Sequence, residues 1–143
     1  WTANGELVWD SGDQLEQFFA NPANGYATIF NTNHDELVRD SRSDNKGPEP
    51  EGVVVGKIAG RSYAFVALER IGGVMAYDVT DPYAPTFSTY ANTRSLTEQK
   101  GDLGAEGIEF IAEEDSPNGK PLVLVGNEVS RTVSVFEVNR ATR

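Results

Sequence analysis

The sequence contains no cysteine, one histidine and one methionine. Disulfides and thiolate metal sites are therefore excluded, and so are metal sites built from several histidines. No apolar run approaches the ~18 residues of a transmembrane helix, so direct membrane insertion is not expected. No signal peptide is recognisable, and because the chain begins at once in structured-looking sequence we expect an upstream segment in the full-length protein.

Acidic residues outnumber basic ones by 22 to 12, which gives the 143-residue chain a formal net charge of −10. A surface of this charge repels phosphate backbones, so nucleic acid is not an expected partner. Hydrophobic residues make up 38% of the chain and aromatic residues 10%. Because each aromatic side chain buries a large area, this composition predicts a packed globular core.

The chain contains an internal repeat. Its first copy comprises residues 51–55, 60–69 and 73–79, and its second copy comprises residues 106–110, 119–128 and 132–138. Glu51 aligns with Glu106 and Glu69 aligns with Glu128, with a longer loop in the second copy. A partial third copy opens the chain, since residues 6–10 are similar to residues 74–78.

Each repeat has the pattern of short antiparallel strands. Residues 63–68 form an almost continuous apolar run, and residues 74–79 alternate with a period of two. Glycine-containing turns separate these segments, and residues 86–90 could form an outer strand. Four antiparallel strands in about 40–45 residues, repeated along the chain, are typical of β-propeller blades. An ordinary meander sandwich is the alternative fold.

We therefore predict an all-β fold, a fragment of a β-propeller with about two four-stranded antiparallel blades and part of another. In this prediction the end of one blade comprises residues 1–10, a helix and an acidic loop insertion comprise residues 11–46, and a full blade comprises residues 47–92. A connector at residues 93–103 then leads to an incomplete blade at residues 104–143. Because such a fragment leaves sheet edges unpaired, we expect it to self-associate through exposed blade edges.

Three motifs resemble the choice-of-anchor I family. They are SRSDNKGPEPEG at residues 41–52, LERIGG at residues 68–73 and GNEVS at residues 126–130. The resemblance implies a secreted or surface-tethered bacterial β-propeller that is longer than this chain. Relatives are often labelled alkaline phosphatase or mesenchyme-specific cell-surface glycoprotein-like. The propeller is also similar to the phytase-like esterases, in which acidic residues hold calcium.

Glu51 and Glu106 occupy the same place in the two repeats, at the start of the innermost strand of each blade. That position faces the central channel of a propeller, where a group of carboxylates could bind calcium through its oxygens. Clustered carboxylates also raise one another's pKa, so the same pair could supply a catalytic acid or base. The alternative is that each glutamate caps backbone amides of the neighbouring blade.

Other acidic residues could complete such a metal site. Asp40, Asp44, Glu49 and Glu51 follow one another in a polar loop that is not an EF-hand, because the terminal bidentate glutamate is missing. An irregular calcium loop and a solvated acidic loop both remain open. Glu69 and Glu128 follow the second strand of each repeat and lie either near the channel mouth or in rim salt bridges.

His34 lies in a polar loop and is expected at the surface. Neither a catalytic triad nor a glycine-rich phosphate loop is recognisable. The sequence thus predicts an extracytoplasmic propeller domain that binds calcium as its cofactor, with a small-molecule or phosphate-ester ligand site at the channel mouth. Its location, secreted, periplasmic or at the cell surface, is inferred from the resemblance. The alternatives are a calcium-dependent phosphoric-ester hydrolase, alkaline phosphatase-like or phytase-like, and a non-catalytic adhesion or scaffold propeller.

Overall fold

The computed structural model describes residues 1–139 and is nearly all β-structure. One helix, α1 (Gln14–Ala20), and two short 3-10 helices (Pro22–Asn24 and Ala27–Ile29) precede the sheets. Seven strands follow: β1 (Pro50–Ile58), β2 (Arg61–Leu68), β3 (Val74–Asp78), β4 (Thr86–Ala91), β5 (Ala105–Ile111), β6 (Leu122–Asn127) and β7 (Thr132–Glu137). None of the described helices is long and apolar enough to span a membrane.

The strands form two antiparallel meanders. The first sheet has the order β1-β2-β3-β4 and the second has the order β5-β6-β7. Ile58 pairs with Arg61 around Ala59 and Gly60, whose φ angles of 52° and 82° fit the left-handed residues of a tight hairpin. Within residues 1–139 the sheets do not close into a barrel, and the all-β prediction of a partial propeller is confirmed.

The predicted blade boundaries remain predictions at the two ends of the chain. Residues 6–10, the expected end of a preceding blade, form no strand in this structure. The expected incomplete blade at residues 104–143 is described as far as Asn139, and residues 140–143 lie outside the described residues.

The two sheets stack face to face because two glycines of β1 allow close approach. A Cβ added to Gly52 would lie 2.3 Å from the carbonyl oxygen of Glu106, and one added to Gly56 would lie 2.6 Å from the ring of Phe110. The Phe110 ring stacks on Phe65 with centroids 5.7 Å apart. The side chains of β1, β2 and β3 thus share one buried core with those of β5 and β6.

The opposite face of the first sheet is covered by the N-terminal segment. Leu15 and Phe19 of α1 pack with Ile29 against the buried face that contains Met75 and Tyr90. Phe19 meets the Tyr90 ring edge-on, with centroids 4.9 Å apart. This packing positions the irregular chain that follows, residues 30–49, against the end of β2, where the candidate site lies.

Candidate metal centre

Equivalent β-bulges lie near the start of the first strand of each sheet, β1 and β5. Pro50 pairs with Leu68 but Val53 pairs with Val66, so the bulge in β1 contains Glu51. In β5 the equivalent shift lies between Ala105 and Gly107, at Glu106. A bulge redirects the side chain of its extra residue and is common beside active sites. The repeat therefore places a glutamate at the same irregular position of each sheet.

Glu69 and Glu128 lie at the same end of the sheets as these bulges. The Glu69 amide donates a hydrogen bond to the Glu49 carbonyl at 2.9 Å. The Glu128 amide donates to the carbonyl of Gly104 at 2.8 Å, so Gly104 is the structural equivalent of Glu49. Glu69 therefore lies beside Glu51, and it also forms ion pairs with Arg70 and His34, so features of both expected places are present at this residue.

Glu49 has a left-handed backbone conformation, and the equivalent residue in the second repeat, Gly104, is a glycine. The φ angle is 54° at Glu49 and 75° at Gly104. A non-glycine residue in this region is strained, and strained residues cluster at functional sites. The first sheet thus keeps a carboxylate at a position where the second sheet has the residue that the backbone favours.

Three carboxyl groups converge at the start of the first sheet. Glu49, Glu51 and Glu69 each offer an oxygen atom, and these atoms lie within 4.8 Å of one another. Glu51 is exposed, Glu49 is half-buried and Glu69 is buried. The predicted ligands Asp40 and Asp44 are not part of this group, and the Asp40 carboxylate accepts a hydrogen bond from Ser43 in its own loop.

Basic side chains surround the three carboxyl groups. Lys46 Nζ lies 2.6 Å from Glu49, and Arg70 Nε contacts Glu49 and also lies 3.5 Å from Glu69. His34 Nδ1 lies 3.1 Å from Glu69, and the Arg70 guanidinium lies 2.7 Å from that same ring nitrogen. The expectation that His34 is a surface residue is therefore corrected, since its side chain is 18% exposed and contacts the acidic group.

The two more buried carboxyl groups have widely separated pKa values. Burial, together with the hydrogen bond shared with Glu49, raises the pKa of Glu69 to about 7. Burial also disfavours the charged form of Glu49, but hydrogen bonds from Glu69, Lys46 and Arg70 outweigh it and lower the pKa of Glu49 to about 2. At neutral pH one carboxyl group is ionised while its neighbour holds a proton for part of the time.

The acidic group extends across both sheets. The charge of Glu128 raises the pKa of Glu106, with a smaller contribution from Glu51. Glu51 also contributes to the raised pKa of Glu69. Burial lowers the pKa of His34 and Arg70 lowers it further, while the charge of Glu128 acts in the opposite direction. The charges of the first and second sheets therefore act on one another at this end of the molecule.

Arg94 holds the loop that carries His34. Arg94 is 4% exposed, and its guanidinium donates to the carbonyl oxygens of Arg70 at 2.7 Å and Asn33 at 2.6 Å. Gln99 from the same connector donates to the carbonyl of His34. The connector predicted at residues 93–103 thus fixes the position of His34 beside Glu69.

Sequence reasoning missed the residues that complete the site, namely Asn33, Lys46, Arg70 and Arg94. Arg70 follows Glu69 directly, and this adjacent pair of opposite charges was the available signal. Arg94 carried no signal, because the carbonyls of Arg70 and Asn33 that it binds are more than 20 residues away in the sequence.

The arrangement can act as an oxygen-rich cation site or as an acid–base pair. Carboxylates in close proximity are the ligands that calcium prefers, and water can complete its shell of six to eight oxygens. In the part of the chain described, no backbone amide donates to the carboxylates of Glu51 or Glu106.

Comparison with known proteins decides the family. The family model for the choice-of-anchor I domain matches residues 1–82. The chain belongs to the choice-of-anchor I family. The match covers α1, the loop with His34 and the first three strands, and so it includes Glu49, Glu51 and Glu69. The resemblance inferred from the sequence motifs is confirmed.

Two curated relatives of this choice-of-anchor I chain are animal proteins. Gigasin-3a from Magallana gigas is 30% identical over 149 residues, which cover 93% of this chain and 51% of the relative. The mesenchyme-specific cell surface glycoprotein from Strongylocentrotus purpuratus is 34% identical over 84 residues, or 54% of this chain and 11% of the relative. The chain thus spans at most about half the length of these relatives. No solved structure matches it significantly.

Proposed function

We propose that this chain is part of an extracellular β-propeller that binds calcium at the channel mouth. The observation that carries the proposal is the convergence of Glu49, Glu51 and Glu69, whose ligand oxygens lie within 4.8 Å of one another. Two further features support it. The bulge that presents Glu51 recurs at Glu106, and Glu49 occupies a left-handed backbone position that favours glycine.

The extracellular location is supported by the family and by one relative's name. The relative from Strongylocentrotus purpuratus is named as a cell surface glycoprotein. Membership of the choice-of-anchor I family also implies a secreted or surface-tethered propeller. Neither relative's name refers to calcium or to a hydrolase. Support for calcium therefore comes from the geometry of the carboxyl groups.

The basic neighbours set the expected strength of calcium binding. Lys46 and Arg70 already compensate part of the negative charge of Glu49 and Glu69. An ion must compete with these contacts and with the proton on Glu69, so we expect weak binding. Extracellular calcium modules bind with a Kd of about 10⁻⁴–10⁻³ M, and we expect this range here.

A thermal melt in calcium and in chelator tests the proposal. At a calcium concentration of about 100 times the Kd, binding to the folded state alone adds about 2.7 kcal/mol of stability. We expect a clear rise of the melting temperature for the wild type and little rise for Glu51→Gln. Glu98→Gln is the matched control, since Glu98 is exposed and contacts Lys100 away from the cluster. Equal calcium shifts in wild type and Glu51→Gln would contradict the proposal.

A second candidate function is calcium-dependent hydrolysis of a phosphate ester. The observation in its favour is the pair of Glu49 and Glu69, with pKa values of about 2 and about 7. Separated pKa values let one group accept a proton while the other donates one. Glu51 and Glu106 are the ligands or base of this alternative, and the double variant Glu51→Gln, Glu106→Gln should fold but lose turnover of a chromogenic phosphate ester. Unchanged turnover would exclude this function, and a scaffold would show neither turnover nor a calcium shift.

A further inference from the structure

One buried guanidinium joins the two chain segments that flank the candidate site. The Nη1 atom of Arg94 donates to the carbonyl of Arg70, and its Nη2 atom donates to the carbonyl of Asn33. Arg70 directly follows Glu69, and Asn33 directly precedes His34. Each half of the guanidinium therefore holds one side of the contact between His34 and Glu69.

The acceptors of Arg94 are all neutral oxygen atoms. Besides these two carbonyls, Nη1 lies 3.3 Å from the carbonyl of Ile71, and Nη2 lies 3.2 Å from the side-chain oxygen of Gln99 and 3.5 Å from the carbonyl of Glu36. Among the ion pairs of residues 1–139, none includes Arg94. A buried cation without an opposite charge is costly, so the position of Arg94 is explained by the carbonyls that it holds.

Gln99 strengthens the same support. Its side-chain amide donates to the carbonyl of His34, while its oxygen accepts from Arg94. The connector that carries both Arg94 and Gln99 is also fixed at its far end, because the Asp102 carboxylate accepts hydrogen bonds from two side-chain hydroxyls of β7 at 2.6 and 2.7 Å. The support of the His34 loop is thus anchored on the second sheet as well as on the first.

The supported loop controls how Arg70 is shared between its partners. The Nη1 atom of Arg70 lies 3.0 Å from Asn33 Oδ1 and 2.7 Å from His34 Nδ1. Its Nε atom contacts Glu49 and lies 3.5 Å from Glu69. If the loop moves away, Nη1 loses both partners and can pair with these carboxylates as well. An ion would then compete with a stronger contact and bind more weakly.

We infer that Arg94 is a positioning residue of the proposed calcium site, because it keeps the His34 loop in place and so keeps Glu49 and Glu69 available to the ion. This inference rests on the calcium-binding function proposed above. Arg94 acts through the loop, since within residues 1–139 it forms no hydrogen bond or ion pair with a ligand carboxylate. Replacing a residue that orients metal ligands typically weakens metal binding by about 10–100-fold.

Two variants weaken this support to different degrees. Arg94→Lys keeps the positive charge, but a compact ammonium group cannot reproduce the planar fork that reaches two chain segments at once. Gln99→Ala removes only the bond to the His34 carbonyl and one contact of Arg94. We expect the calcium Kd to rise at least about tenfold in Arg94→Lys and by a smaller factor in Gln99→Ala.

An NMR titration with calcium chloride measures these Kd values, because backbone amide signals of the site follow even weak binding. Val123→Ala is the matched control. Val123 is 1% exposed in the core between the two sheets, so its truncation costs stability without touching the His34 loop. If Arg94 only stabilised the fold, all variants would bind calcium alike. A positioning role raises the Kd in Arg94→Lys and Gln99→Ala and leaves it unchanged in Val123→Ala.

A second measurement in chelator follows the loop itself. Nuclear Overhauser contacts between the His34 ring and the Glu69 side chain should be present in the wild type and in Val123→Ala, and lost in Arg94→Lys. Their persistence in Arg94→Lys would overturn the inference. If Arg94→Lys does not fold, the calcium Kd and these contacts in Gln99→Ala decide the question.

The titration also separates the inference from the proposed function. A wild-type Kd in both Arg94→Lys and Gln99→Ala would overturn the inference and leave the calcium site intact. An equal rise of the Kd in Val123→Ala would overturn it too, since any loss of stability would then suffice. Absence of calcium-dependent shifts in the wild type would overturn the proposed function and this inference together.

Discussion

Two equivalent glycines, Gly52 and Gly107, should respond in opposite ways to replacement by alanine: the first variant should be less stable than the wild type and the second more stable. Gly52 and Gly107 hold the same position in the two repeats. Only Gly52 lies against a neighbouring sheet, where its added Cβ would be 2.3 Å from the Glu106 carbonyl oxygen and 3.0 Å from Ile108. At Gly107 the added methyl group meets open space. The comparison thus isolates the packing between the sheets from the backbone effect of the substitution.

The expected magnitudes follow from these contacts. The methyl group of Gly52→Ala must move the β5 backbone by at least about 0.7 Å to reach 3.0 Å, and overpacking of this kind costs about 1–3 kcal/mol. Gly107→Ala restricts only the unfolded chain and should stabilise by about 0.4–1 kcal/mol. At about 4 °C per kcal/mol, the first variant should melt about 4–12 °C lower and the second up to about 4 °C higher.

Differential scanning calorimetry in chelator measures both melting temperatures. A dilute sample keeps association between copies from contributing. Gly56→Ala provides an independent check, since its added Cβ would lie 2.6 Å from the Phe110 ring and should also be destabilising. Equal melting temperatures for Gly52→Ala and Gly107→Ala would refute the stacking of the two sheets.

Two other substitutions test the site and its support. In Glu69→Gln the pH dependence of stability should change between about pH 4.5 and 7, because the folded pKa of Glu69 lies above its ordinary value of 4.5. The stabilisation that the protonated group provides is complete below pH 4.5 and lost as the pH rises through 7, so the melting temperature of the wild type should fall relative to Glu69→Gln over this range. A constant difference across pH 5–8 would show that Glu69 titrates normally. Arg94→Ala should lower the free energy of unfolding by about 3 kcal/mol or more in urea titrations, because it leaves the buried carbonyls of Arg70 and Asn33 unpaired. A loss below about 1 kcal/mol would mean that water replaces the guanidinium.

The fold could be predicted from the sequence because its signals are local and repeated. The apolar run that forms β2 and the turn at Ala59 and Gly60 are readable without knowledge of distant contacts. The repeat then indicated that the second unit would form the same meander. Glu51 and Glu106 lie near the start of β1 and β5, where the repeat predicted a strand to begin, and their position at a central channel stays a prediction.

The surroundings of the carboxyl groups could not be predicted, because they depend on long-range packing. His34 reaches Glu69 only because Arg94 binds the loop carbonyls and the N-terminal segment packs on the first sheet. The backbone strain at Glu49 is visible only when its repeat equivalent is seen to be Gly104. Asp40 and Asp44 looked equally suitable as ligands in the sequence, but their loop keeps them out of the group of three carboxyl groups.

The most direct test of the proposed calcium site is to count the protons released when calcium binds. Binding requires ionised carboxylates, and Glu69, with its pKa of about 7, is mostly protonated at pH 6. Isothermal titration calorimetry in two buffers of different ionisation enthalpy gives the number of protons released per ion. We predict release of close to one proton at pH 6 and close to none at pH 8.5, with tighter binding at the higher pH. Absence of binding heat at both pH values, or equal proton release at both, would contradict a calcium site that includes Glu69.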